Sequence, residues 1–145
     1  MKLALSVAGT GYSCPMPRVY KADTSATPDA VWSLLAQPRR WAQWAPHVRG
    51  AWGLGEPEVQ AGNLGAAKLL GIVPVPARIT AKEAGRSWTW RVGPMTLVHE
   101  VQPTPTGSRV AMTLSAPGPL EPALAAAYGP VVQLMARRLA RAAAA

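Results

Sequence analysis

The chain is written in two periods. Arg18 to Thr24 alternates and predicts a first strand. Thr27 is then a good N-cap, Pro28 suits a first helical position and Asp29 suits the positive helix start. That helix carries Val31, Trp32, Leu34 and Leu35 and has to stop before Pro38, because the residue preceding a proline avoids helical angles. A second short helix is expected from Pro38 to about Trp44, with Trp41 and Trp44 on one face, closed by Pro46. The middle of the chain reads as strands and tight turns. Val48 to Leu54, a Gly- and Ala-rich stretch over 62–72, Ala77 to Ala84, Ser87 to Val92, Met95 to Gln102 and Ser108 to Ala116 are the expected strands. Pro74 and Pro76 predict a corner. Ile79 and Ala81 are expected on one face of their strand, against Arg78, Thr80 and Lys82. Trp88, Trp90 and Val92 share a face, as do Met95, Leu97, His99 and Val101, and Val110, Met112 and Leu114.

From Leu120 the period changes to three or four. Leu124, Tyr128, Val131, Met135 and Leu139 continue an apolar stripe, and Arg137, Arg138 and Arg141 crowd its last turns, where cations favour the negative helix end. Proline costs about 3 kcal/mol inside a helix. Gly129-Pro130 therefore predicts a kink or break, with the main helix from about Pro130 to Ala142 and the segment 119–128 as a lid. A meander with one apolar face needs a cover, and this helix supplies it. The expected architecture is one α+β domain over residues 17–145, a curved antiparallel sheet around a long C-terminal helix, preceded by an irregular tail over residues 1–16.

The stretch Ala26-Thr27-Pro28-Asp29-Ala30-Val31-Trp32-Ser33-Leu34-Leu35, followed by Pro38-Arg39-Arg40-Trp41-Ala42-Gln43-Trp44, resembles the START-like superfamily, also called SRPBCC. Glu100 to Val110 resembles the hairpin into the last strand of its polyketide cyclase/dehydrase-like and lipid-transport-like branch. The resemblance covers about Arg18 to Ala142. It implies the helix-grip fold, with two short helices after strand 1 and a cavity between sheet and C-terminal helix. The motif residues are apolar anchors and caps, so the resemblance marks the fold and leaves the chemistry open.

Composition narrows the classes. At 145 residues, 49% hydrophobic and 15% charged, the chain has the makeup of a folded domain. No apolar run is long enough to span a bilayer. The apolar stretch after Lys2 is short and broken by Gly9 and Gly11, so it fits a signal peptide poorly and the expected location is cytoplasmic. The net charge is +8, yet the tight basic clusters are only Arg39-Arg40 and Arg137-Arg138 with Arg141, and no nucleic-acid-binding motif is present. Cys14 is the single cysteine, so no internal disulfide forms.

Candidate chemistry is sparse. Two histidines and one scattered cysteine match no metal spacing, and no phosphate-binding loop, cofactor motif or nucleophile elbow occurs. His47 follows Pro46 in a loop and is expected in solvent. His99 lies on an apolar strand face and is the one candidate acid/base or ligand hydrogen-bonder. Glu100 alternates away from it, and no pair of the seven acids forms an evident site. Aromatic character rests on six tryptophans with no phenylalanine. Trp32, Trp41 and Trp44 read as core anchors, while Trp88 and Trp90 read as cavity walls whose indole N–H groups need partners. The expected lining is Trp88, Trp90, Leu97, His99, Val110, Met112 and Met135. Three functions fit, in this order. One is binding or transport of a hydrophobic small molecule, lipid or polyketide-like. Another is a polyketide cyclase or dehydratase using His99, helped by Tyr20 or Thr113. The last is a protein-interaction module.

Overall fold

The computed structural model describes residues 18–45, 48–69 and 73–145. The tail expected over residues 1–16, Cys14 and His47 lie outside them. Strand β1 (Arg18–Thr24) leads into helix α1 (Pro28–Ala36) and a 3-10 helix (Pro38–Gln43). Strands β2 (Val48–Trp52), β3 (Leu64–Leu69), β4 (Val73–Glu83), β5 (Ser87–Val92), β6 (Met95–Thr104) and β7 (Gly107–Ser115) follow, then helix α2 (Leu120–Ala144). All strand pairs are antiparallel, in the order β1-β7-β6-β5-β4-β3-β2. The sheet wraps α2, which packs on β1 and β7, while α1 packs on α2, β6 and β7. This is the expected helix-grip arrangement.

Local chemistry explains the start of α1. The Thr27 hydroxyl accepts the Ala30 N–H at 3.2 Å, Pro28 opens the first turn and Asp29 lies within it. Its C-terminus is finished by indoles. The Leu35 carbonyl accepts Trp41 Nε1–H at 2.9 Å and Trp88 Nε1–H at 3.1 Å, and the Leu34 carbonyl accepts Trp44 Nε1–H at 2.9 Å. The Ala36 carbonyl accepts the Val59 N–H at 3.0 Å. The Leu34, Leu35 and Ala36 carbonyls at this helix end are thus taken by groups outside the helix.

Three expectations are corrected. Pro74 and Pro76 make no corner. They lie inside β4, opposite Lys68 and Ala66 of β3, and β5 begins to pair only at Ala77. There β4 has a partner on one side only, so the missing N–H groups cost no ladder bond. Ala81 does not continue the buried face of Ile79. A register shift between them reverses the alternation, exposing Ala81 and turning Lys82 inward to Glu58 at 3.1 Å. Gly129-Pro130 neither breaks nor divides the last helix, which runs for 25 residues. The residues of 120–128 are its first turns and form no separate lid.

The helix tolerates Pro130 because the proline and Ala126, whose carbonyl it deprives of a donor, both face solvent. On the opposite side Gly129 is buried, and a Cβ there would meet the Tyr20 hydroxyl from β1. The buried line of α2 in its first half is accordingly Glu121, whose carboxylate accepts the Ala116 N–H, then Ala125, Gly129 and Val132. Leu120, expected in the stripe, is 39% exposed. Small residues let the helix sit close on β1.

Alanine is favoured over glycine in helices by about 1 kcal/mol. Gly129→Ala is nevertheless expected to destabilise the protein by about 1–3 kcal/mol in urea denaturation, because the methyl overpacks Tyr20. In a Tyr20→Leu background the same substitution should cost much less. A stabilising Gly129→Ala in the otherwise unchanged chain would show that no such contact exists.

Candidate functional site

Four tryptophans meet at the end of α1. Trp41 stacks on Trp88 with centroids 5.3 Å apart and planes at 8°, and both are edge-on to Trp90 at 5.4 and 5.7 Å. Trp44 is edge-on to Trp41 at 6.4 Å. The other face of Trp88 is covered by His99 at 3.8 Å and 11°, so Trp88 is sandwiched. The register places Trp88 opposite His99 and Trp90 opposite Leu97, which delivers these side chains to one face.

Between this cluster and α2 lies a cavity of about 10 Å³. That is room for about one water molecule. Trp88, Trp90, Leu97, His99 and Met135, all expected at the site, line it. Val110 and Met112 do not. Both are fully buried on β7, where Met112 pairs opposite His99 and Val110 opposite Val101. Trp41, Trp44, Ala45, Val48 and Tyr128 complete the lining. Trp41, Trp44 and Tyr128 are expected from the sequence as anchors or stripe residues. Their part in the cavity depends on the packing of α1 against β5 and α2, which no local period encodes. Tyr20 packs on Gly129, and Thr113 points to the opposite side of β7 from Met112, so neither assists His99.

His99 is 2% exposed, and its Nδ1 lies 3.3 Å from the Trp88 carbonyl. A carbonyl only accepts, so Nδ1 carries the proton and Nε2 is left as the acceptor. Burial pushes the imidazole pKa down to about 3, against a smaller opposing contribution from that hydrogen bond. The ring is neutral at physiological pH and far from the range of an efficient general base. Tyr128 is pushed up to about 12 by burial and stays a phenol. Among the described residues no group of His, Cys, Asp and Glu is placed to hold a metal ion.

Trp90 differs from its neighbours. Three indoles are bonded to α1 carbonyls, but the Trp90 Nε1–H is buried with no hydrogen-bond partner among the described residues. An unmatched buried donor costs about 1–3 kcal/mol. The Trp90 side chain itself lines the cavity.

The buried neutral histidine has a pH consequence. Its folded pKa lies below the unfolded value of 6.5, so its stability is fully present above about pH 6.5 and is lost as pH falls towards 3. Relative to pH 8, about 2 kcal/mol is expected to disappear by pH 5. His99→Gln, which cannot charge, should remove that share of the pH dependence in urea denaturation, and parallel curves for the two proteins would contradict the buried neutral ring.

No curated protein matches the chain in sequence. Many solved structures share its fold. Protein NE0264 from Nitrosomonas europaea superposes with a TM-score of 0.65 at 16% identity, over 88% of this chain and 96% of that one. Protein MLL2253 from Mesorhizobium loti gives 0.65 at 16%, over 87% and 98%. The structure of Ara h 8.0201 gives 0.66 at 11%, over 90% and 98%. Residues 18–144 match the family described as polyketide cyclase/dehydrase and lipid transport. With that match over nearly its whole length and the helix-grip fold around its aromatic cavity, the chain belongs to this family of the START-like superfamily.

Proposed function

We propose that the protein binds or carries a small hydrophobic molecule, lipid or polyketide-like, that bears one hydroxyl or carbonyl group, in the cavity between β5, β6 and α2. The observation that supports this reading is that Trp90, one of the residues lining the cavity, holds a buried indole N–H with no hydrogen-bond partner among the described residues. The lining surface as it stands is wholly apolar, so this donor reaches a ligand oxygen once the walls part, and it then orients the ligand by that group. A hydroxyl or carbonyl oxygen accepts the Trp90 proton, and a hydroxyl also has a proton to give to an acceptor such as His99 Nε2. Family membership and fold support ligand binding in general.

The cavity as it stands has room for about one water, so a larger ligand requires its walls to part. Met135 is unbranched and repacks readily, and with Tyr128 it forms the wall contributed by α2. Binding is favoured over catalysis because His99, the single candidate proton carrier, is neutral, stacked and poorly basic.

Native mass spectrometry of freshly purified protein should show a co-purified apolar molecule. In titrations followed by the indole N–H signals in NMR, 2-naphthol should bind saturably and shift the Trp90 resonance, while naphthalene should bind more weakly and leave it in place. Trp90→Phe should weaken 2-naphthol about 5–10-fold and barely affect naphthalene. Failure of both probes to bind sinks the carrier reading, whereas equal losses for both sink only the role of Trp90.

A further inference from the structure

The sheet has two edges, and β1 is one of them. Its free backbone groups can be assigned. The Lys21 carbonyl accepts Gln133 Nε2–H from α2 at 3.0 Å, so it points away from β7. A Cβ at Gly107 of β7 would run into the Thr24 carbonyl, so that group points towards β7. Alternation then turns the N–H and C=O of Val19, Lys21 and Asp23 outward. Among the described residues only the Lys21 carbonyl has a partner there. Among the described residues no strand pairs with this edge.

Beside the edge runs an open groove of about 800 Å³, bounded by 21–25 of the chain and by the last turns of α2. Lys21, Arg137 and Arg141 line it, and none has an ion-pair partner among the described residues. Asp23 also lines it, but its carboxylate is engaged by Arg109 of β7 at 2.7 and 3.3 Å. Ala140 and Ala144 on the helix side leave room for a backbone.

We propose that this groove docks an extended acidic peptide segment of another protein, which adds to β1 as a further strand and sets alternate carboxylates against Arg137 and Arg141. Main-chain bonds to an exposed edge supply affinity in such docking, and alternate side chains supply specificity. The spacing fits. Arg137 and Arg141 are one helical turn apart, about 6 Å along the axis, and side chains on one face of a strand recur about every 6.8 Å. Val19, 49% exposed, offers an apolar neighbour on the other face of the added strand.

Charge selects the occupant. A second copy would bring its own Lys21, Arg137 and Arg141 to the same edge, and like charges across a strand pair destabilise it. Residues 1–17 contain no Asp or Glu to match the groove. A nucleic-acid strand would satisfy the guanidiniums but would set phosphates against the outward carbonyls of Val19 and Asp23.

Fluorescence anisotropy with a short labelled peptide of alternating glutamate and valine tests this on the full chain. Saturable binding is expected, weakened about tenfold or more by Arg137→Ser with Arg141→Ser and by raised salt. The same peptide N-methylated at its valines keeps its charge but cannot form the ladder, and it should also bind about tenfold or more weakly. Circular dichroism confirms that the double variant is folded. The proposal is overturned if the acidic peptide does not bind, if the N-methylated form binds equally well, or if a single-stranded DNA oligonucleotide binds as tightly with the same arginine dependence.

Discussion

Two peptide carbonyls, those of Leu34 and Leu35, accept three indole N–H groups at the end of α1. The donors come from the 3-10 helix, from the residue just after it and from β5. This shared capping ties the first helical segment to the middle of the sheet. Each buried indole needs an acceptor and each terminal carbonyl needs a donor, so both deficits are settled in one place. The stack of Trp41, Trp88 and His99 follows from it, since two of those indoles converge on a single oxygen.

The candidate cavity is what this cluster leaves over. Trp90 lies edge-on to Trp41 and Trp88, lines the cavity, and keeps a buried donor without a partner among the described residues. His99 is held as a wall by stacking and by its bond to the Trp88 carbonyl. The same burial that makes it a good wall makes it a poor base. The proposed binding of an acceptor-bearing apolar molecule and the poor basicity of His99 therefore have one physical origin. On the far side of the molecule the polarity is reversed: the groove beside β1 is open, cationic and rich in backbone groups.

Much of the fold was legible along the chain. Thr27-Pro28-Asp29 announced α1, and the alternation of Ser87 to Val92 and Met95 to Gln102 put Trp88, Trp90, Leu97 and His99 on one face, where the structure has them. The misreadings have a common cause. Pro74 and Pro76 signal a corner only if both sides of a strand need donors, and pairing decides that. The bulge after Ile79 reverses an alternation that local sequence continues. Pro130 breaks a helix unless its deprived carbonyl faces water, and the face is set by Gly129 packing under Tyr20. Val110 and Met112 share a face with cavity residues but lie on β7, one strand further from β5, where they pack in the core.

By itself the sequence determined the element order, the faces of the central strands, the capped start of α1 and the cationic end of α2, because each depends on neighbours within a few residues. Only the tertiary structure decided that the last helix is continuous, that the cavity shrinks to one water, and that three indoles are bonded while Trp90 is not. Those outcomes depend on which distant groups compete for the same carbonyls and the same space, and such competition exists only once the chain has folded.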